Sequence, residues 1–474
     1  MEIRPTSLSG RWWLPAEPAR QYPGTLTINE DNHGELVLGG SPVELSAIAR
    51  QGERTWHGTV PSRHRYDVTL FNVGVMKGPN VASGAQEAET EATFFTNDVL
   101  IGAHLDSEET PCARGALVRI TGLDSWWDES GFSGDSTTID RALGLRRVSL
   151  RYEERTTEIF EILPDVGIRF QARYEGATSF AHIKSVPMRE SVYLELLFAQ
   201  EVSLTRLQRE IQVWQQFLSI GLREAVYIDE IRLRFHEAPE AYFPLELAVP
   251  GRRQSDLSGA HRGWLRLHTR SKLGDRLGGV LRTWRQRYDD LETAIALVSG
   301  AVYQEEAHTH VKLLSYLQAL EILHRQTLGG SRFPNKDLKE RTFTALRTAL
   351  PQDLPEPIRD AISQQISFVG SLTLVERLEG VFARYPKTLG RLFKRPEQDM
   401  ALLRDVRNFL VHYGEKAQFK IDFLSSTRLM VLYEKCRLFA EIAVLGELGM
   451  DDAQLPEFLT SFEPYAQWSH VDHD

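Results

Sequence analysis

The feature that most constrains this chain is a change of hydrophobic period along its length. Up to about residue 200, apolar and polar residues alternate in short runs. Examples are Gly24-Thr25-Leu26-Thr27-Ile28, Glu35-Leu36-Val37-Leu38, Tyr66-Asp67-Val68-Thr69-Leu70-Phe71 and Arg147-Val148-Ser149-Leu150-Arg151-Tyr152. Alternation with a period of two puts every second side chain on one face of a strand. The runs are broken by turn chemistry such as Asn32-His33-Gly34 and Gly39-Gly40, which predicts a β-rich region of sandwich or curved-sheet type. The segment 83–91 (SGAQEAETE) is small, polar and acidic and reads as a surface loop.

The period then lengthens. Leu204, Leu207, Ile211, Trp214, Phe217 and Leu218 recur at intervals of three and four, which predicts one amphipathic helix ending near Gly221. Strand-like runs return at 225–228 and 231–235. After Asp289 everything reads as helix, with candidates at 291–308, 311–328, 338–350, 357–371, 374–384, 397–413 and 423–448. Gly329-Gly330, Pro351 and Gly414 serve as stops. Short connections between six or seven helices indicate a bundle. The fold class expected is therefore α+β: a β-rich, sandwich-like N-terminal region with an added helix, followed by an all-α helical bundle. At 474 residues the chain is too long for a single compact core. The boundaries that follow are 1–250 for the β-rich region, 251–287 for a basic connecting segment and 288–474 for the bundle.

The connecting segment gathers Arg252, Arg253, Arg262, Arg266, Arg270, Lys272, Arg276, Arg282, Arg285 and Arg287 against Asp256 and Asp275. It fits a solvated linker face, and it also fits a phosphate-contacting strip with Trp264 and Trp284 for stacking. The whole chain carries a formal net charge of −10, which argues against a globally basic nucleic-acid coat protein. Its two cysteines, Cys112 and Cys436, form neither a disulfide framework nor a zinc knuckle, which suits a reducing, cytoplasmic location. The first residues lack a signal-peptide core, and no run of about 18 uncharged apolar residues predicts a membrane span.

Chemistry concentrates in one helix. In 397–414 (EQDMALLRDVRNFLVHYG), Leu402, Leu403, Val406, Phe409 and Leu410 form a core-facing stripe, and Arg407, Asn408 and His412 crowd the C-terminal end. His412 is the one histidine of the chain with an arginine five positions before it. Cleaving RNA without a metal needs a base for the ribose 2′-hydroxyl and a donor for the charged phosphorane. Histidine titrates near neutrality and arginine's planar fork matches phosphate oxygens, so the two residue types fit those roles. Asn408 lies four residues before His412, on the same face, where it can orient the imidazole. Arg407 and His412 stand about 140° apart on an ideal helix, so they converge on one phosphate more easily if two copies of the helix meet. Spacing alone fits equally well a histidine that caps a helix C-terminus, where cations are favoured anyway.

Weaker RNA contacts are expected from Arg391, Lys394 and Arg395, which precede this helix together with Arg384 and Lys387, from Arg404 within it, and from Arg325. Each has a bland alternative: a solvated loop for the former group, and an i,i+4 pair with Glu321 for Arg325. His308 and His310, two apart on an expected helix, point about 160° from each other and suit a shared metal poorly. No Walker loop and no Gly-x-Ser-x-Gly elbow occurs. No cofactor and no metal is expected. The tryptophan pairs Trp12-Trp13 and Trp126-Trp127 read as core and rim packing before ligand binding.

Arg407-Asn408-Phe409-Leu410-Val411-His412 resembles the Arg-(polar)-xxx-His signature of HEPN domains, with Asn408 at the polar position. The segment 313–325 (LLSYLQALEILHR) resembles the first helix of the ApeA-type HEPN group. Leu8-Ser9-Gly10-Arg11-Trp12-Trp13-Leu14-Pro15, followed by Gly24-Thr25-Leu26, resembles the start of the ApeA N-terminal domain. The resemblance runs from about residue 8 to about 448. It implies a bacterial anti-phage factor acting by abortive infection, with a metal-independent HEPN endoribonuclease working as a homodimer. Arg407 and His412 would be catalytic and Asn408 supporting. RNA, with tRNA among the targets, would be the substrate, and a phage-derived trigger would act through the N-terminal region. A non-catalytic HEPN module, using the same pair to hold a dimer or a nucleotide, is the alternative.

Overall fold

The computed structural model describes residues 6–30, 32–51, 54–61, 66–78, 90–140, 145–176, 188–234, 245–249, 263–304, 306–351, 353–412 and 427–470 and, at a few of these positions including His412, the backbone alone. The expected loop at 83–91 falls almost wholly outside the described residues, as do Arg252, Arg253 and Arg262. The chain divides into two compact units, Met1–Gly263 with His268–Gln286, and Trp264–Leu267 with Arg287–Asp474.

In the first unit fifteen strands, counted among the described residues, join one sheet. Its first half runs in the order Gly74–Lys77, Thr90–Thr96, Gly34–Gly40, Tyr22–Ile28, Thr6–Trp13, Trp56–Val60, Tyr66–Phe71 and Asp98–Ile101. The order continues through Leu245–Ala248, Ile228–Arg234, Ala113–Ile120 and Met188–Val202 to Val166–Gly176, with which Arg155–Thr156 and Phe160–Leu163 also pair. The register explains the alternation in the sequence. Leu8 faces Leu26, Leu26 faces Leu36, and Leu36 faces Phe94 across successive antiparallel strands. Leu26, Leu36, Leu38 and Phe94 thus fall on one side and are buried with Trp12, Trp56, Val68 and Leu70. Asn32 takes φ 60°, the left-handed conformation that Asn tolerates, and Asn29 Oδ1 accepts from the His33 amide at 2.8 Å to close the hairpin. Gly58 has no side chain because the Trp12 ring occupies the space a Cβ would need. Trp12, Trp13, Trp126 and Trp127 are all buried, as packing residues.

The helix Leu204–Leu222 buries Leu204, Leu207, Ile211, Trp214, Phe217 and Leu218, the stripe read from the sequence. Ser203 caps it by accepting from the Arg206 amide at 3.3 Å. Gly221 is inside the helix, and the ring of His268 lies where its Cβ would sit, with both ring nitrogens 2.7 Å from that position. His268 Nδ1 accepts from Trp126 Nε1 at 3.2 Å, and burial, reinforced by Lys272, lowers its pKa to about 3.

One expectation needs correction. The helix predicted from residue 291 begins at Leu277 and runs to Tyr303. Leu277, Val280, Leu281, Trp284, Tyr288, Leu291, Ile295 and Val298 keep the three-and-four spacing and are buried, but the interleaved Arg282, Arg285 and Arg287 conceal it in the sequence. Trp284 is not a stacking platform: it is buried, with Nε1 donating to the Val213 carbonyl at 3.1 Å. Arg285 is not a surface cation. Its Nε donates to both Glu210 oxygens at 3.1 and 2.9 Å and its Nη2 to Oε1 at 2.7 Å.

The second unit is helical. Thr309–Leu328 packs against Thr427–Glu447 and Leu374–Phe382, while Pro396–His412 packs against Leu374–Phe382 and Thr309–Leu328. The apolar core includes Leu313, Leu317, Leu320, Leu378, Val381, Leu432, Phe439 and Ile442. Lys336–Thr348 and Glu356–Phe368 form a more exposed helical pair. Three short helices, Pro386–Leu392, Leu455–Phe458 and Glu463–Trp468, were not legible as such because each is only one or two turns long. Gly446 lets the Thr427–Glu447 helix pass directly against the Tyr385 hydroxyl.

Candidate functional site

The helix Pro396–His412 starts where Pro396 fixes the first turn and Glu397 and Asp399 place negative charge at the positive end of the helix dipole. The buried Asp399 accepts from the Arg395 amide at 3.1 Å through Oδ2, while its own amide donates to the Arg395 carbonyl at 2.8 Å. Three residues anchor the helix: Met400, Leu403 and Val406 are fully buried. From there the helix emerges. Leu402, Phe409 and Leu410 are half-buried and Val411 is exposed, so the predicted stripe is deep at one end and shallow at the other.

The polar residues occupy the shallow end. Arg407 is half-buried and Asn408 exposed, and Arg407 Nη1 donates to Asn408 Oδ1 at 3.2 Å. Asn408 therefore orients the guanidinium of its neighbour. His412 closes the helix; its side chain, and residues 413–426, lie outside what is described. The helix is continuous through both positions, so the five-residue separation places the Arg407 and His412 Cα–Cβ bonds about 140° apart around its axis. Cations at this end also face the last carbonyls of the helix, which favour positive charge.

The other basic residues are distributed unevenly. Arg404 Nη2 lies 2.7 Å from its neighbour Asp405. Lys394 and Arg395 are exposed just before the helix. Arg391, exposed on Pro386–Leu392, hydrogen-bonds Tyr465, whose hydroxyl burial pushes up to about 12. Arg325 Nη2 sits on Glu321 at 2.5 Å, the pairing four residues apart that the sequence suggested. Arg384 is tied to Glu447 by a short ion pair, a partner 63 residues away that sequence reading had no means of finding.

His308 and His310 differ from expectation. His308 is the N-cap of Thr309–Leu328, with φ −58° and ψ 145°, so the two do not share a helix. Their rings stack instead, 5.4 Å apart and 10° from parallel. Among the described residues no group of three or more His, Cys, Asp or Glu is placed to hold a metal ion. Cys112 and Cys436 are free and buried, and burial raises both thiols, Cys112 to about 11. No described helix is long and apolar enough to cross a membrane.

Two residues that sequence reading missed are Arg377, on Leu374–Phe382, and Lys435, on Thr427–Glu447, both buried. Their positions on apolar-looking helices gave no signal beyond the residue types themselves. His324, the neighbour of Arg325, is buried on Thr309–Leu328.

Two family models match the sequence. Residues 7–284 match the one described as ApeA N-terminal domain 1, and residues 314–454 match the one described as Apea-like HEPN. No curated protein and no solved structure matches the chain.

Proposed function

The chain belongs to the ApeA family, with an ApeA N-terminal domain and a C-terminal HEPN domain, and from that premise we propose that it is an anti-phage effector whose HEPN domain cleaves RNA without a metal. The observation that carries this reading is the shallow end of Pro396–His412. There an arginine with a neutral partner and a histidine share the last turns of a helix that its other end anchors in the core.

In this reaction the His412 imidazole takes the proton of a ribose 2′-hydroxyl. The 2′-oxygen bonds to phosphorus, and Arg407 neutralises the oxyanions of the phosphorane. The bond from phosphorus to the 5′-oxygen then breaks, and that oxygen takes up a proton, leaving a 2′,3′-cyclic phosphate and a 5′-hydroxyl. Asn408 is a positioning residue that holds the guanidinium. The angle between the two residues on one helix favours a site completed by a second copy of the chain, that is, a homodimer. Lys394 and Arg395, exposed ahead of the helix, supply phosphate contacts, joined more weakly by Arg391, Arg404 and Arg325. The N-terminal domain answers a phage-derived trigger and tunes the nuclease. tRNA is the first substrate to try.

The test is cleavage of RNA by the purified chain in EDTA. Wild type cleaves, and Arg407→Ala and His412→Ala lose roughly 10²–10⁴-fold in rate, the scale of general acid–base help. Full activity in either variant removes the assignment, and loss of wild-type activity in EDTA removes the metal-independent mechanism. Light scattering checks the shared site: a strict monomer that still cleaves contradicts it.

A further inference from the structure

We infer that Arg377 and His324 form a second site in the helical unit, one that binds a terminal phosphate. It stands on two buried polar atoms that the protein leaves without partners, and it does not depend on the nuclease reading.

Arg377 comes from Leu374–Phe382 and is 3% exposed. Its Nε donates to the Leu372 carbonyl at 3.2 Å and lies 3.8 Å from Glu321 Oε1, but its buried Nη1 has no acceptor. His324 comes from Thr309–Leu328 and is 4% exposed, and its Nδ1 is likewise buried and unpartnered. The ring's bond to the Gly329 backbone therefore falls to Nε2, which leaves Nδ1 as a bare acceptor. Gly380 makes room for this ring, since a Cβ there would sit 2.6 Å from Nε2. Leaving a buried hydrogen-bonding group unmade costs about 1–3 kcal/mol, and more when it is charged. Two such groups, on the packed helices Thr309–Leu328 and Leu374–Phe382 and close enough for the Arg377 charge to act on His324, mark an incomplete site.

The exposed Gly330 adjoins the guanidinium: a Cβ on it would stand 3.6 and 3.7 Å from the Arg377 Nη atoms. Charge favours an anion: Arg377 and the exposed Arg325 face the single carboxylate of Glu321, while the nearby Arg332 and Glu376 neutralise each other. Burial and then the Arg377 charge hold His324 below its ordinary value, and burial and then Arg325 do the same for Arg377. A bound anion offsets the Arg377 charge. The guanidinium fork suits phosphate oxygens. The bare Nδ1 wants a donor, which a phosphate monoester or hydrogen phosphate supplies through its P–OH. A phosphodiester has no such proton to give, so the site selects a terminal phosphate, either free or at the end of an RNA.

Calorimetry on the full-length chain tests this with three probes: inorganic phosphate, a 5′-phosphorylated dinucleotide and its 5′-hydroxyl form. The variants are Arg377→Lys, which removes the fork, and Gly330→Ala. The latter meets nothing closer than 3.6 Å and so leaves the fold intact while covering Nη1. Saturable binding of phosphate or of the 5′-phosphorylated dinucleotide, weakened at least about tenfold in both variants, supports the site, and the responding probe identifies the source. Absence of saturation by both, or saturation that Gly330→Ala leaves unchanged, overturns it. A response to the 5′-hydroxyl form that is lost in Gly330→Ala overturns the selection for a terminal phosphate.

Discussion

Two regions of the molecule treat arginine in opposite ways. In the sheet unit Arg285 is buried in a fork on Glu210, Arg169 is held by the fully buried Glu195, and Arg232 Nε donates to Glu230 at 2.7 Å. Each charge is cancelled where it lies. At the shallow end of Pro396–His412, Arg407 is half-buried and its hydrogen bond goes to the neutral Asn408. Among the described residues no carboxylate pairs with it, so its direction is fixed while its charge stays available. A compensated guanidinium holds structure together, whereas an oriented and uncompensated one is suited to an incoming phosphate.

Substitutions break or sharpen that contrast. The largest effect expected is on function: Arg407→Ala lowers RNA cleavage by roughly 10²–10⁴-fold and leaves the denaturation midpoint where it was. A variant that unfolds instead would make Arg407 structural, like Arg285. Next comes Arg285→Ala, which strands Glu210 in the core of the sheet unit and costs about 3–5 kcal/mol in urea unfolding. A cost near zero would erase the distinction from the other side. Gly446→Ala drives a methyl into Tyr385 and costs the helical unit about 1–3 kcal/mol, read by the same unfolding curve. Thr373→Ala removes the capping box at the start of Leu374–Phe382 and costs about 1 kcal/mol.

The smallest effect is one of pH. The Arg332 hydrogen bond, followed by those from Thr373, holds the Glu376 carboxyl at about 2, below its ordinary 4.5. A depressed carboxylate stabilises the fold above its unfolded value, so this contribution is complete above pH 4.5 and fades as pH falls towards 2. The pair is exposed, so the effect is slight. Comparing wild type with Glu376→Gln across that window should show a shallower acid decline for the variant. Identical profiles contradict the assignment.

Much of the fold was legible because burial is periodic. Leu26, Leu36 and Leu38 alternate with exposed or half-exposed neighbours, and Leu204 to Leu218 follow one helical face. The helix from Leu277 was not legible, since arginines that pair with distant carboxylates look like solvent-exposed charge until the partner is known. Glu210 lies 75 residues from Arg285, and no local pattern links them. At the candidate site, the helix and the position of Arg407 at its shallow end could be read from the stripe. The bond from Arg407 to the Asn408 amide oxygen could not, because spacing pairs residues 408 and 412 on one face and says nothing of adjacent side chains that meet where the helix emerges. Arg377 was hidden for the same reason as Arg285: its setting is made by two helices meeting.

The most direct measurement is sequencing of cellular RNA ends after induced expression, comparing wild type with His412→Ala. The account predicts new, discrete ends carrying 2′,3′-cyclic phosphate and 5′-hydroxyl groups in wild type and their absence in the variant. The same ends in His412→Ala, or wild-type ends with 3′-hydroxyl and 5′-phosphate groups, would contradict it.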